Sequence, residues 1–128
     1  MAEHEWMNEV RALVGKEYGR VYAWDKINAP MIRQWCEVMG VDAARYTAEG
    51  AVIAPPAMLQ VWCMEGPVAF FFNDTATTEN PYEALKLLEA QGMASVVAVN
   101  SELTFGRDVR EGERLYYTTR LDSIGEQK

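Results

Sequence analysis

The sequence predicts an α+β domain in which antiparallel strands surround one buried helix. Three observations carry this. A strand-like stretch, "EYGRVYAW", leads into helical ones. The second strong helical stretch, "PAMLQVWCMEG", is apolar nearly all round. After Gly92 the pattern changes to extended β-branched and aromatic segments separated by Gly-containing turns. The chain has 128 residues, enough to bury one core and too few for two, so residues 1–128 are expected to form a single domain.

Each element has its own warrant. Glu3 to Val14 places Trp6, Val10 and Val14 four apart, on one face of a short helix that Gly15 ends. In "NAPMIRQWCEVMG", Asn28 is the N-cap, Pro30 sits in the first turn where its missing N–H costs little, and Gly40 closes the helix. Met31, Trp35 and Met39, with Ile32 and Cys36 beside them, form its buried stripe. "AVIAPP" is extended, because a proline restricts the residue before it. The helix from Pro56 to Gly66 then carries Met58, Leu59, Val61, Trp62, Cys63 and Met64 around most of its circumference, which places it inside the protein. In "NPYEALKLLEAQG", Asn80 caps, Pro81 takes the first position, Glu83 completes a capping box and Gly92 stops the helix. Strands follow at "MASVVAVNSELTFGR" and "RLYYTTRLDSI", joined by a turn at "REGE". No returning strand comes after Gly125, so the sheet is expected either to be truncated at its C-terminal strands or to take its edge from another chain. "AFFFNDTATTE", Ala69 to Glu79, fits neither neighbour and resembles a translated sequencing-adapter fragment; no function is assigned to it.

Composition removes several function classes. A formal net charge of -7 leaves no electrostatic footprint for nucleic acid or an anionic membrane. No apolar run approaches the roughly 20 residues of a membrane helix. The acidic, amphipathic start is unlike a signal peptide, and a cytoplasmic location is expected. Cys36 and Cys63 lie in apolar helical stretches and read as reduced core thiols rather than a disulfide. The single histidine is His4, at a terminus, and no Cys-x-x-Cys spacing exists, so neither a metal site nor a cofactor is expected.

Across most of its length the chain resembles the MaoC-like branch of the hot-dog superfamily. The likeness rests on the order and spacing of "MIRQWCEVMG", "VIAPPAML" and "FGRDVREGERL". It implies a curved antiparallel sheet wrapped around a central buried helix, with two such units pairing to bind acyl-CoA. Active members of that family carry Gly-Asp-x-Asn-Pro-x-His in the loop after the first main helix, where Asp and His work a water across an enoyl-CoA double bond. Aligned from Gly40, this chain has Val41 at the Asp, Ala43 and Ala44 at the Asn-Pro, and Tyr46 at the His. A one-residue slip lets Asp42 stand for the Asp, and nothing can stand for the His. Active members also offer backbone N–H groups at the start of the central helix to the thioester oxygen. Here Pro55 and Pro56 have none to give.

The pattern is therefore similar to the non-catalytic MaoC-like half of the large subunit of heteromeric steroid side-chain enoyl-CoA hydratases. That resemblance implies no catalytic residue in this chain and a substrate-pocket role for Tyr46, Ile53, Ala54, Pro55, Pro56 and Trp62. The catalytic pair would come from a dyad-bearing hot-dog sibling in a heterodimer or heterotetramer, with a homodimer as the fallback. The ligand would be an acyl-CoA thioester with a bulky acyl group. Tyr46 can also be read as a half-buried aromatic, and Trp62 as core packing. Arg107 and Arg120 are either contacts for CoA phosphates or solvated strand arginines. Two alternatives stand beside this reading. One is a stand-alone hot-dog thioesterase, whose carboxylate would be Glu65, poorly placed at the helix's far end. The other is an acyl-CoA-binding scaffold module.

Overall fold

The computed structural model describes residues 5–64, 79–93 and 95–126. They fall into two compact units.

The first unit comprises Met1–Arg20, Thr77–Ser101 and Thr118–Lys128. Helix α1 (Trp6–Arg11) is shorter than the amphipathic stretch predicts and turns a different face inward. Met7 and Val10 are buried while Val14 is exposed, because the helix ends before Val14 can join the stripe. The Arg11 guanidinium donates to the carbonyls of Ile124 and Gly125, at 3.0 and 3.2 Å, and Gly15 N–H donates to Leu121 O. Helix α3 (Glu83–Ala90) packs against α1. Asn80 Oδ1 accepts from Tyr82 N–H at 2.9 Å within a turn that precedes the helix, so Asn80 is not its N-cap: Tyr82 holds that position, with no side-chain cap, and the helix begins two residues after Pro81.

The capping box does not form. The Glu83 carboxylate instead accepts from the buried Tyr18 hydroxyl at 2.8 Å and from Lys16 Nζ at 3.1 Å. Two side-chain donors, the Lys16 cation and the hydroxyl of buried Tyr18, take the carboxylate in place of one backbone N–H. Gly92 ends the helix at φ 85°, with Met93 N–H donating back to Leu88 O in the manner of a Schellman stop.

The second unit comprises Val21–Ala76 and Glu102–Tyr117. Strand β1 (Val21–Tyr22) pairs antiparallel with β2 (Tyr116–Tyr117), in the register Val21 with Tyr117 and Tyr22 with Tyr116. "RLYYTTRL" thus finds a partner within the chain. The ladder continues through Ala23 N–H to Leu115 O and Ile27 N–H to Glu113 O. The turn at "REGE" is as expected: Glu113 N–H donates to Arg110 O, and Gly112 holds φ 89°. Helix α2 (Ala29–Met39) is also as expected. Asn28 Oδ1 accepts from Met31 N–H at 2.9 Å, and Gly40 closes it at φ 72°. Ile32 and Cys36 are fully buried, Met31 and Trp35 pack beside them, and Met39 lies beyond the stripe, exposed.

Two expectations need correction. Pro56–Cys63 is a 3₁₀ helix rather than the start of an α-helix, and only one of its faces is buried. Met58 and Trp62 are inside, Val61 and Cys63 are half-buried, and Leu59 and Met64 are exposed. Two prolines at its start remove N–H groups from the first turn, and the i→i+3 bond from Met58 N–H to Pro55 O sets the tighter winding. Glu65 and Gly66, the expected helix end, lie outside the described residues, as do His4 and all of "AFFFNDTATTE" except Glu79. The second correction concerns "SVVAVNSELTF". It is not a paired strand among the described residues, and Val96, Val97, Val99, Leu103 and Phe105 are exposed. β-propensity describes fit to a pleated, half-buried surface, and without such a surface it does not produce a strand.

The Tyr18–Glu83–Lys16 cluster generates a pH-dependent prediction. The Tyr18 hydroxyl first, and then Lys16, hold the Glu83 carboxyl below its ordinary value. Its contribution is complete above the unfolded glutamate pKa and is lost as pH falls through the lower folded value. Burial, reinforced by Glu83, raises Tyr18, and the hydrogen bond to Glu83 raises Lys16. Their contributions are complete below the unfolded values near 10 and are lost as pH rises through the folded ones. Tyr18→Phe should lower stability at pH 7 by about 1 kcal/mol, the net worth of one hydrogen bond. It should also flatten the fall on the acid side, as measured by urea unfolding across pH 3–8.

Candidate functional site

The core of the second unit is a cluster of Ile27, Ile32, Cys36, Ala54, Met58 and Trp62. Its wall is built from the stretch that the sequence marks out, Val52 to Trp62. Ile53 pairs antiparallel with Arg110, and the flanking bonds run from Ala54 N–H to Val109 O at 2.9 Å and from Glu111 N–H to Val52 O at 3.2 Å. The remaining N–H of Ile53 points to the other side and donates to Tyr46 O at 3.0 Å. This one residue ties the loop after α2 to the ladder.

The period of two along this stretch sorts the side chains. Val52 and Ala54 pack on the core, and Ile53 lies outside the cluster. Pro55 is buried and Pro56 is exposed. Of the six expected pocket residues, Tyr46, Ala54 and Trp62 come together on the core, and buried Pro55 follows Ala54. Ile53 and Pro56 do not join them. Arg45 lies over the Tyr46 ring, 5.9 Å from its centroid. Tyr46 N–H donates to Ala43 O, closing the short 3₁₀ turn Ala43–Arg45.

The candidate acid–base positions have other work. Asp42 is exposed and caps that turn, its Oδ1 accepting from Ala44 N–H at 3.0 Å. Val41 packs against the core, and its N–H donates to Cys36 O. At the start of the Pro56–Cys63 segment Met58 N–H is already bonded to Pro55 O. Only the Ala57 N–H has no acceptor among the described residues, where an α-helical start would present several. Arg107 and Arg120 read as exposed surface arginines. Arg107 grips Glu113 at 2.9 and 3.1 Å, and Arg120 bonds Asp122 at 2.9 Å. Arg107 holds the Glu113 carboxyl below its ordinary value, helped by the Arg110 N–H. Cys36 is a buried free thiol, and Cys63 is half-buried. Among the described residues no cluster of His, Cys, Asp or Glu is placed to hold a metal ion, and no helix is long and apolar enough to cross a membrane.

One feature has no signal in the sequence. The Trp62 indole Nε1–H is buried and has no hydrogen-bond partner, and it is the one such side-chain atom among the described residues. A core tryptophan is easy to foresee, but whether its N–H finds an acceptor depends on the surrounding packing.

The second unit thus presents an apolar core backed by short antiparallel ladders, and the loop after α2 carries no histidine. Residues 12–128 match the family described as "FAS1-like, dehydratase domain region", and the chain belongs to that family. It has the hot-dog fold. It is 33% identical over 137 aligned positions to the "Probable enoyl-CoA hydratase alpha subunit" of Thermomonospora curvata, covering all of this chain and 43% of that protein. It is 34% identical over 111 positions to the "3-oxo-4,17-pregnadiene-20-carboxyl-CoA hydratase alpha subunit" of Mycobacterium tuberculosis, covering 80% of this chain and 34% of that one. The chain therefore spans less than half the length of these curated relatives. A chain in the crystal structure of the ChsH1-ChsH2 complex from Mycobacterium tuberculosis superposes with a TM-score of 0.72 at 31% identity, over 97% of this chain and 75% of that chain.

The cap assigned to Asp42 can be checked directly. Asp42→Asn should leave thermal stability nearly unchanged, since asparagine caps as well as aspartate. Asp42→Ala should cost about 1 kcal/mol.

Proposed function

We propose that this chain is the non-catalytic, pocket-forming part of a heteromeric enoyl-CoA hydratase acting on a bulky acyl group of the steroid side-chain class. The carrying observation is the loop after α2, where Asp42, the acidic residue next to the family's Asp position, is spent on a cap and Tyr46 stands where a histidine would be needed. The Pro55–Pro56 start supports the reading, because it leaves a thioester oxygen almost no backbone donor. The curated relatives support it too, both being named as hydratase alpha subunits.

In this reading, Tyr46, Ala54, Pro55 and Trp62 wall the acyl group, and Ile53 and Pro56 frame it from outside. A sibling hot-dog subunit supplies the Asp and His. These deprotonate a water for addition to the β-carbon and return a proton to the α-carbon. The assembly is a heterodimer or heterotetramer in the cytoplasm, residues 1–128 acting as one hot-dog domain. The structural neighbour's occurrence in a two-component complex supports a partner of this kind.

The test is turnover of an enoyl-CoA by the purified chain alone and after co-expression with a dyad-bearing hot-dog sibling. The chain alone should stay at background. The co-purified assembly should hydrate, and light scattering should show a heteromer burying on the order of 1,600 Å² or more. Hydration by the chain alone would contradict the proposal.

A further inference from the structure

The unpartnered Trp62 N–H is the starting point. Trp62 is buried in one cluster with Ile32, Cys36 and Met58, and its Nε1–H is itself buried. The indole is a donor with no acceptor capacity, so its missing partner must bring an oxygen or a comparable acceptor atom. An unpaired buried donor costs free energy in the unliganded protein, a cost that an aromatic without an N–H, such as the smaller phenylalanine, would not carry.

The surroundings narrow the partner further. Ile27, Ile32, Cys36, Ala54 and Met58 offer no charge, and a single N–H cannot compensate the desolvation of a carboxylate or phosphate. The partner is therefore a neutral acceptor on an apolar body, which excludes the CoA phosphates and fits the acyl portion of the thioester.

We propose that Trp62 Nε1–H is a specificity-determining donor that binds a carbonyl oxygen of the bound acyl group. The proposal rests on the hydratase reading above. The oxygen can belong to the thioester or to a ketone on a polycyclic acyl body, and the two sources share this chemistry.

The experiment follows the indole 15N–1H signals of the full chain assembled with its sibling. The sequence has four tryptophans, and the Trp62 signal is the one lost in Trp62→Phe. Two probes are titrated: crotonyl-CoA, whose acyl oxygen is the thioester's, and a 3-keto-steroid enoyl-CoA. A downfield shift of the Trp62 signal with both probes assigns the thioester oxygen; a shift with the keto-steroid alone assigns the ketone. Trp62→Phe should then bind the responding probe about tenfold more weakly, as expected for one lost hydrogen bond, with the fall in Tm from lost packing measured separately in the absence of ligand. Binding with an unmoved Trp62 signal overturns the inference and leaves the hydratase reading intact, the donor then being served by a water or by nothing. Failure of the wild-type assembly to bind either probe overturns both. Should Trp62→Phe fail to fold, its signal is assigned by through-bond experiments on the wild type, and the shift still decides.

Discussion

The second unit depends on one packing event: the Ile32–Cys36 face of α2 closing on the Ala54–Met58–Trp62 side of the segment that follows. No ion pair does comparable work, because the ion pairs described here lie among exposed or half-exposed side chains, where each contributes little. Burial of large apolar side chains contributes roughly 1.5–3 kcal/mol apiece, and this contact gathers several of them. The ladder from Val52 to Ala54 against Val109 to Glu111 is the backbone expression of the same contact, since it holds the wall at the distance the side chains fill.

That contact also decides what the site can do. It draws Val41 and Tyr46 onto the core and leaves Asp42 outside as a cap, so the loop's geometry is committed to packing. The Pro55–Pro56 start commits the next segment in the same way. Prolines there fix an extended-to-3₁₀ transition and leave their own positions without N–H donors. An acid placed at Val41 would set a charge against the core.

What could be read from the sequence follows how local each determinant is. Helix α2 has its cap, its proline and its closing glycine within a dozen residues, and all three act as expected. The turn at Arg110 to Glu113 is equally local. Glu83 looked like a capping residue because its spacing from Asn80 is right, but Tyr18 and Lys16, more than sixty residues away in sequence, reach it first. Pro56–Cys63 looked buried all round because composition cannot say which side of an apolar segment a core has room to cover. At the candidate site, that no histidine follows His4 is plain from the sequence. That Ile53 lies outside the core cluster needed the pairing with Arg110, and the orphaned indole N–H needed the whole cluster.

We propose that this chain shapes a site without performing its proton transfers. The pH profile of kcat/KM for the chain assembled with a dyad-bearing sibling, compared between wild type, Asp42→Asn and Tyr46→Phe, tests this. Unchanged acid and base limbs, with effects confined to KM, are the predicted result. Loss or displacement of either limb would mean that Asp42 or Tyr46 takes part in the proton transfers, and would contradict it.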